Sequence, residues 1–169
     1  IFNTNFFGVV RMTNAVLPYM RKEGSGQIIN IGSVLGFLPM PFGALYAATK
    51  HAIEGYSESL DHEVRTQGIR VSVIEPAYTN TPLESNLLAA DSKLPEYQHI
   101  RSTLLAHMKK TLKNAESPQV VASTVLAAIS GNRPQLRYTA GQLAGRLKLL
   151  RRFAPAAIMD KGIRKDLHI

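Results

Sequence analysis

Residues 27–76 decide the fold, and they read QIINIGSVLGFLPMPFGALYAATKHAIEGYSESLDHEVRTQGIRVSVIEP. The near-continuous apolar run at residues 27–33 predicts a strand that is covered on both faces and is central rather than at an edge. Residues 44–67 carry apolar positions at helical spacing, and Gly68 follows as a C-cap. Val71, Val73 and Ile74 predict a second strand. Strand, helix and strand of these lengths predict a βαβ unit with a right-handed crossover.

The flanking sequence extends this pattern. Apolar residues at helical spacing predict an amphipathic helix at residues 3–22. Ser117 and Pro118 are typical of a helix start, and Gly131 is typical of its end. Residues 136–140 predict a third short strand. The sequence therefore predicts an α/β fold with three strands and flanking helices.

Three side chains in this stretch carry a chemical pattern: Ser33 at the end of the first strand, Tyr46 thirteen residues later and Lys50 four residues after that. On a helix, positions i and i+4 share a face, so the Lys50 ammonium is expected beside the Tyr46 phenol and should favour its ionised form. Lowering a phenol pKa by two to three units requires roughly 3–4 kcal/mol. Tyr46 is thus predicted to exchange a proton with an alcohol or carbonyl. The alternative is an ordinary surface Tyr and Lys on a helix.

A family resemblance rests on three stretches: INIGSVLGFLPMPFGALYAATKHAIEGYSESL at residues 29–60, FNTNFFGVV at residues 2–10, and VSVIEPAYTNTPL at residues 71–83. In these the chain resembles the short-chain dehydrogenase/reductase family, and in particular its steroid and retinol dehydrogenase-like branch. The resemblance is close over residues 1–83 and looser at RYTAG, residues 137–141. It implies a Rossmann-like, doubly wound parallel sheet.

The resemblance also implies a role for each matching site residue. Ser33 would position the substrate oxygen, and Tyr46 would act as the acid/base. Lys50 would lower the pKa of Tyr46 and hold the nicotinamide ribose. Asn5 would anchor a water for proton relay, although Asn5 or the nearby Asn3 could instead cap the helix.

The implied cofactor is NAD or NADP. The family motif Pro-Gly-x-x-x-Thr appears here as PAYTNT at residues 76–81, with Ala77 in place of the glycine. Together with Tyr46 and Lys50, the predicted cofactor-binding residues are Pro76, Ala77, Thr79 and Thr81. The implied activity is interconversion of an alcohol and a ketone or aldehyde by hydride transfer.

No G-x-x-x-G-x-G or G-x-G-x-x-G motif occurs in the chain. Such a glycine-rich turn holds the cofactor pyrophosphate in this fold. Residues 1–169 are therefore expected to be the C-terminal part of a single Rossmann-like domain that lacks its first four strands. The alternative is a non-catalytic fold remnant or interaction module.

Residues 77–116 are predicted to form a substrate lid or insert. The leucine content of this segment favours a lipophilic alcohol or ketone, and the alternative is a helix pair that packs on the sheet. Its apolar positions are Leu83, Leu87, Leu88, Leu94, Leu104, Leu105 and Met108.

Residues 141–169 are predicted to form a basic helical tail. The chain has a net charge of +8, and from Arg133 onward it carries nine Lys or Arg residues and two Asp residues. Leu143, Leu147 and Leu150 recur beside basic residues, a pattern typical either of peripheral contact with anionic lipid or of a solvated face on a packed helix.

Composition excludes other classes. The 169 residues contain no Cys, which excludes disulfides and thiolate zinc sites and is compatible with a cytoplasmic location. No apolar run is long enough to span a bilayer. The five His residues show no metal-ligand spacing, and no nucleic-acid-binding module accompanies the basic charge.

The family resemblance implies a small-molecule substrate and a homo-oligomer formed through the helices at residues 3–22 and 44–67.

Overall fold

The computed structural model describes residues 1–81, 94–131 and 133–166. The strands are β1 (Gly26–Ile31), β2 (Ile69–Pro76) and β3 (Arg137–Ala140). The helices are α1 (Gly8–Glu23), α2 (Ala44–Val64), α3 (Gln98–Lys113), α4 (Pro118–Ser130), α5 (Gln142–Phe153) and α6 (Ala156–Asp166). A π-helical turn (Asn3–Phe7) leads into α1, and 3₁₀ turns lie at Val34–Gly36, Arg65–Gln67 and Pro95–Tyr97. The chain forms two compact units: a larger one (Ile1–Ala77 with Gln119–Lys148) and a smaller one (Tyr78–Pro118 with Leu149–Ile169).

The larger unit is built on a parallel sheet with the strand order β1, β2, β3. Ile31 lies opposite Ile74 on one side of β2, and Ala140 lies opposite Pro76 on the other. β2 is therefore the central strand, and within the described residues β1 pairs on one side only. The prediction that β1 is central concerns a domain with four further strands, and it stays a prediction, because an apolar run indicates that the two faces are covered but does not report on the edges.

Helices cover both faces of the sheet, as the apolar pattern predicts. On one face, α1 and α2 pack against the sheet in a core of Leu17, Ile28, Leu60, Val64, Ile69 and Val71. On the other face, Ala128 of α4 packs with Ile74 and Ala140. The predicted three strands with flanking helices are thus confirmed, and each buried aliphatic side chain contributes about 1.5–3 kcal/mol.

Gly68 is the C-cap of the 3₁₀ turn (Arg65–Gln67) that follows α2, and it ends the helical segment as predicted. Its φ is +74°, in the left-handed region that glycine adopts without strain. A Cβ at this position would lie 2.0 Å from the backbone oxygen of Gly24. The chain can therefore turn from α2 into β2 only with glycine here.

Asp61 links the last turn of α2 to the start of β2. Its side chain is fully buried and accepts hydrogen bonds from Arg65, from Arg70 Nε at 2.9 Å and from the Val71 backbone N–H at 2.9 Å. Burial opposes ionisation of the carboxyl, but these hydrogen bonds outweigh it and lower the pKa of Asp61 from 3.8 to about 2. Sequence patterns alone did not indicate this contact.

The smaller unit contains α3, where Leu104 and Leu112 are buried and Leu105 is exposed. Thr79 forms a parallel bridge with Glu116, and the backbone N–H of Asn80 donates to the Glu116 carbonyl at 2.9 Å. Leu83, Leu87 and Leu88 of the predicted lid lie outside the described residues. The lid therefore stays a prediction.

The basic tail is helical, as predicted, and forms α5 and α6. Leu143 and Leu150 are exposed, whereas Ala144 is the buried residue of α5. None of the helices in the described ranges combines the length and the hydropathy of a bilayer-spanning segment.

Changing Asp61→Asn should remove a pH-dependent part of the stability. The folded protein holds Asp61 ionised down to about pH 2 whereas the unfolded chain binds the proton near pH 3.8, so the carboxylate stabilises the fold above pH 4 and this contribution is lost as the pH falls towards 2. The expected difference is about 2 kcal/mol. Urea unfolding at pH 6, 4 and 3 measures it, with the exposed Glu63→Gln on the same helix as control. Identical pH slopes for wild type and Asp61→Asn would contradict the assignment.

Candidate active site

Ser33 lies just beyond the carboxyl end of β1. The strand ends at Ile31, two residues earlier than predicted. The Gly32 N–H still donates to the Ile74 carbonyl of β2 at 2.8 Å, and after this hydrogen bond the backbone no longer pairs with β2. Ser33 is extended and caps the 3₁₀ turn that follows, where its Oγ accepts from the Leu35 N–H at 3.1 Å. Its side chain is therefore held at the edge of the sheet where ligands bind in open α/β folds.

Tyr46 and Lys50 lie in the first two turns of α2, and both are half-buried. The Ser33 hydroxyl acts on the Tyr46 phenol and lowers its pKa. The Lys50 Nζ lies 5.7 Å from the centroid of the Tyr46 ring and donates to the Ile31 carbonyl at 2.9 Å. The three side chains predicted from the sequence are thus brought together.

The pKa of Tyr46 moves in the opposite direction to the prediction. Burial of the phenol raises its pKa above the ordinary value of 10, and the hydrogen bond from Ser33 offsets this in part. Lys50 is not among the groups that shift this pKa: its ammonium lies 5.7 Å from the ring centroid and donates to the Ile31 carbonyl at 2.9 Å. Tyr46 is therefore a neutral phenol at neutral pH in this structure.

Lys50 is also affected by its surroundings. Burial lowers the pKa of its ammonium, and the negative charge of Glu54 one helical turn later acts against this shift.

Asn5 lies in the π-helical turn before α1, and its Nδ2 donates to Thr49 Oγ1 at 3.4 Å. Thr49 is on α2, between Tyr46 and Lys50. The residue at the cap position is Phe2 and no side chain caps this helix, so the capping alternative for Asn3 and Asn5 is wrong. The relay role of Asn5 stays a prediction.

The predicted cofactor-binding residues fall in both units. Pro76 ends β2, and its carbonyl lies 3.5 Å from Ser33 Oγ. Ala77 follows it without a positive φ, so alanine is tolerated where the family motif has glycine. Thr79 and Thr81 belong to the smaller unit, where Thr81 Oγ1 donates to the Thr79 carbonyl at 3.4 Å. Their role as cofactor ligands stays a prediction.

A charged cluster lies beside the Ser33 turn, and sequence patterns did not predict it. Glu54 on α2 pairs with Arg137 on β3 at 2.9 Å, and Lys148 on α5 pairs with the fully buried Glu75 at 3.0 Å. Lys148 therefore belongs to this cluster, not to a free basic face. The available signal was Glu75 itself, a charged residue directly after Val73 and Ile74 in β2.

The sequence matches the model of the short chain dehydrogenase family over residues 1–92. An uncharacterized oxidoreductase of Schizosaccharomyces pombe is 38% identical over 141 residues, which are 83% of this chain and 59% of that protein. Retinol dehydrogenase 8 of Homo sapiens is 38% identical over 145 residues, which are 81% of this chain and 47% of that protein. The chain thus spans about half to three fifths of the length of these relatives.

Two solved structures share the fold. A short-chain dehydrogenase from Streptomyces avermitilis aligns with a TM-score of 0.74 and 28% identity, covering 95% of this chain and 58% of that one. The closed form of serine dehydrogenase complexed with NADP⁺ aligns with a TM-score of 0.63 and 26% identity, covering 82% and 53%. The Rossmann-like parallel sheet predicted from the sequence is confirmed.

Changing Ser33→Ala should raise the pKa of Tyr46 still further, because the hydroxyl that favours the ionised phenol is lost. Titration of ¹³Cζ-labelled tyrosine by NMR measures this shift, and Tyr46→Phe identifies the resonance. The exposed Ser25→Ala is the matched control and should leave the titration where it is. An unchanged or lowered Tyr46 pKa in Ser33→Ala would mean that the two side chains do not interact in solution.

Proposed function

This chain belongs to the short-chain dehydrogenase family, and on that premise we propose that it carries the acid/base site of an oxidoreductase that interconverts an alcohol and a ketone or aldehyde. The observation that carries the proposal is the placement of three side chains at the carboxyl edge of the sheet: Ser33 directly after β1, and Tyr46 and Lys50 in the first two turns of α2, with the Lys50 Nζ 5.7 Å from the Tyr46 ring centroid. At this edge the hydroxyls of Ser33 and Tyr46 could both hydrogen-bond a single substrate oxygen.

The proposed cofactor is NAD or NADP, which supplies or accepts the hydride when bound. The donor set fits the nicotinamide-ribose end of such a cofactor: the Lys50 ammonium, the Tyr46 hydroxyl and the backbone at Pro76 and Ala77 lie around one edge of the sheet. The structural neighbour complexed with NADP⁺ supports the same assignment. A glycine-rich pyrophosphate loop is absent from this sequence.

The chain's own residues define the proton chemistry. Tyr46 would donate its proton from Oη to a carbonyl oxygen during reduction, or take the proton of an alcohol during oxidation. Ser33 would hydrogen-bond the same oxygen and hold it in line with the phenol. Burial raises the pKa of Tyr46, and the protonated phenol is the form that donates a proton during reduction. Oxidation would require the phenolate and so should increase with pH.

A lipophilic substrate is proposed as well. Retinol dehydrogenase 8 carries an apolar substrate in its name, and the predicted lid of this chain is rich in leucine.

Self-association is a further proposal, since α1 and α2 expose Met12, Tyr19 and Leu45. Exposed aromatic and aliphatic side chains on neighbouring helices are suited to contact with a second copy.

A second candidate function is peripheral membrane contact through the tail. Leu149, Leu150 and Phe153 are exposed on α5 beside Arg151 and Arg152. Apolar side chains flanked by cations suit the surface of an anionic bilayer.

Changing Tyr46→Phe in the complete enzyme should reduce kcat for carbonyl reduction by about 10²–10⁴, because the proton donor is removed while the ring is kept. Cofactor absorbance measures the rate. Tyr19→Phe, on the exposed face of α1, is the control and should retain the wild-type rate. Retention of most of the activity in Tyr46→Phe would refute the assignment, and an inactive wild type would favour a non-catalytic remnant.

Neutralising Arg151 and Arg152 together should weaken flotation with vesicles that contain anionic lipid, since each basic residue near such a surface contributes about 1 kcal/mol. Neutral vesicles are the reference, and the exposed Arg21→Gln and Lys22→Gln at the end of α1 form the control pair. Equal flotation of the tail variant and wild type would exclude the tail as the contact.

A further inference from the structure

Glu54 fills the space beneath the turn that carries Ser33. A Cβ on Gly32 would lie 2.9 Å from Glu54 Oε1, and a Cβ on Gly36 would lie 2.8 Å from Glu54 Cγ. Two glycines on either side of Ser33 thus leave room for one carboxylate side chain. The same Gly36 position is 3.2 Å from the Lys50 carbonyl, so the turn rests directly on this part of α2.

Charges from four elements face Glu54. Arg137 of β3 donates to its Oε2 at 2.9 Å and also to Glu58 of α2 at 2.8 Å. Burial and the charge of Glu75 on β2 raise the pKa of the Glu54 carboxyl, whereas Arg137 and Lys148 of α5 act to lower it. On its own helix, Lys50 is one turn earlier, at the spacing where side chains meet.

One oxygen of Glu54 has no hydrogen-bond partner among the described residues. This atom is the buried Oε1 that faces Gly32, whereas Oε2 is held by Arg137. Leaving a buried carboxylate oxygen unpaired costs free energy, so apolar packing alone does not explain a glutamate here.

We propose that Glu54 is a positioning residue for the acid/base site: its side chain fills the space beneath the Ser33 turn between Gly32 and Gly36, and Arg137 holds its carboxyl group there. From the position one helical turn after Lys50, its negative charge also acts on the Lys50 ammonium. This inference rests on the proposed function of Tyr46, Ser33 and Lys50, but it concerns the geometry and charge of the site before any substrate binds.

Two variants separate the two parts of this role. Glu54→Gln keeps the volume beneath the turn and removes the charge. Glu54→Asp keeps the charge and withdraws it by one methylene. Glu58→Gln is the matched control, because it also loses a partner of Arg137 but lies on the exposed side of the cluster, away from Gly32 and Gly36.

Two measurements on the complete protein that carries this chain read out the two parts without any assay of activity. The pH dependence of Lys50 acetylation by acetic anhydride, followed by mass spectrometry of its peptide, gives the midpoint of Lys50 titration. Hydrogen exchange at Leu35, Gly36 and Leu38 reports on the Ser33 turn, because these amides donate to Ser33 Oγ, the Ser33 carbonyl and the Val34 carbonyl.

In Glu54→Gln, the Lys50 midpoint should fall below that of wild type, since an anion that favours the ammonium is gone. In Glu54→Asp, the midpoint should stay near wild type while exchange in the turn becomes about fourfold faster, as expected for the loss of one buried methylene. Glu58→Gln should change neither. If the complete enzyme is active, the alkaline limb of kcat/KM should move to lower pH in Glu54→Gln only.

An unchanged Lys50 midpoint in Glu54→Gln would overturn the proposal. If Glu54→Gln does not fold, Glu54→Asp decides alone. A lowered midpoint of Lys50 titration in Glu54→Asp would contradict the role, because the charge is retained. Hydrogen exchange in the Ser33 turn at the wild-type rate would contradict it as well. An inactive wild-type enzyme with the expected titration and exchange shifts would instead refute the proposed function and leave this inference standing.

Discussion

The burial of β2 between two strands and two helical layers is the constraint on which the larger unit depends. Ile69, Val71, Val73 and Ile74 have no exposed surface, and both neighbouring strands run parallel to β2. Parallel strands bring their carboxyl ends to the same edge of a sheet. The position of Ser33 after β1 and of Pro76 at the end of β2 is therefore a consequence of how this strand is enclosed.

Much of this arrangement was predictable from local pattern. The apolar spacing of α2 and the spacing of Tyr46 and Lys50 have the same period, so the stripe that buries the helix also determines which face presents the two polar side chains. Gly68 could be identified as the helix end because a left-handed residue is needed there. The exact end of β1 could not, since it depends on a hydrogen bond to Ile74, which lies 42 positions further along the chain from Gly32.

The electrostatics of the site were harder to predict, because they depend on partners distant in sequence. Glu54 and Glu58 lie at positions typical of a solvated helix face, yet Arg137 reaches them from a strand about 80 residues later. The pKa of Tyr46 depends on burial by the folded chain and on the direction in which the Lys50 ammonium points. Spacing along a helix establishes that two side chains are neighbours, but it does not show which atom each one faces.

The bond from Lys50 to the Ile31 carbonyl has a consequence beyond the acid/base chemistry. Successive residues of a strand direct their backbone groups to opposite sides, and Gly32 faces β2, so the Ile31 carbonyl points away from β2. Lys50 therefore joins the second turn of α2 to the backbone at the end of β1. A shift of this helix along the strand would break that hydrogen bond, so the bond helps to fix the register between the helix and the strand.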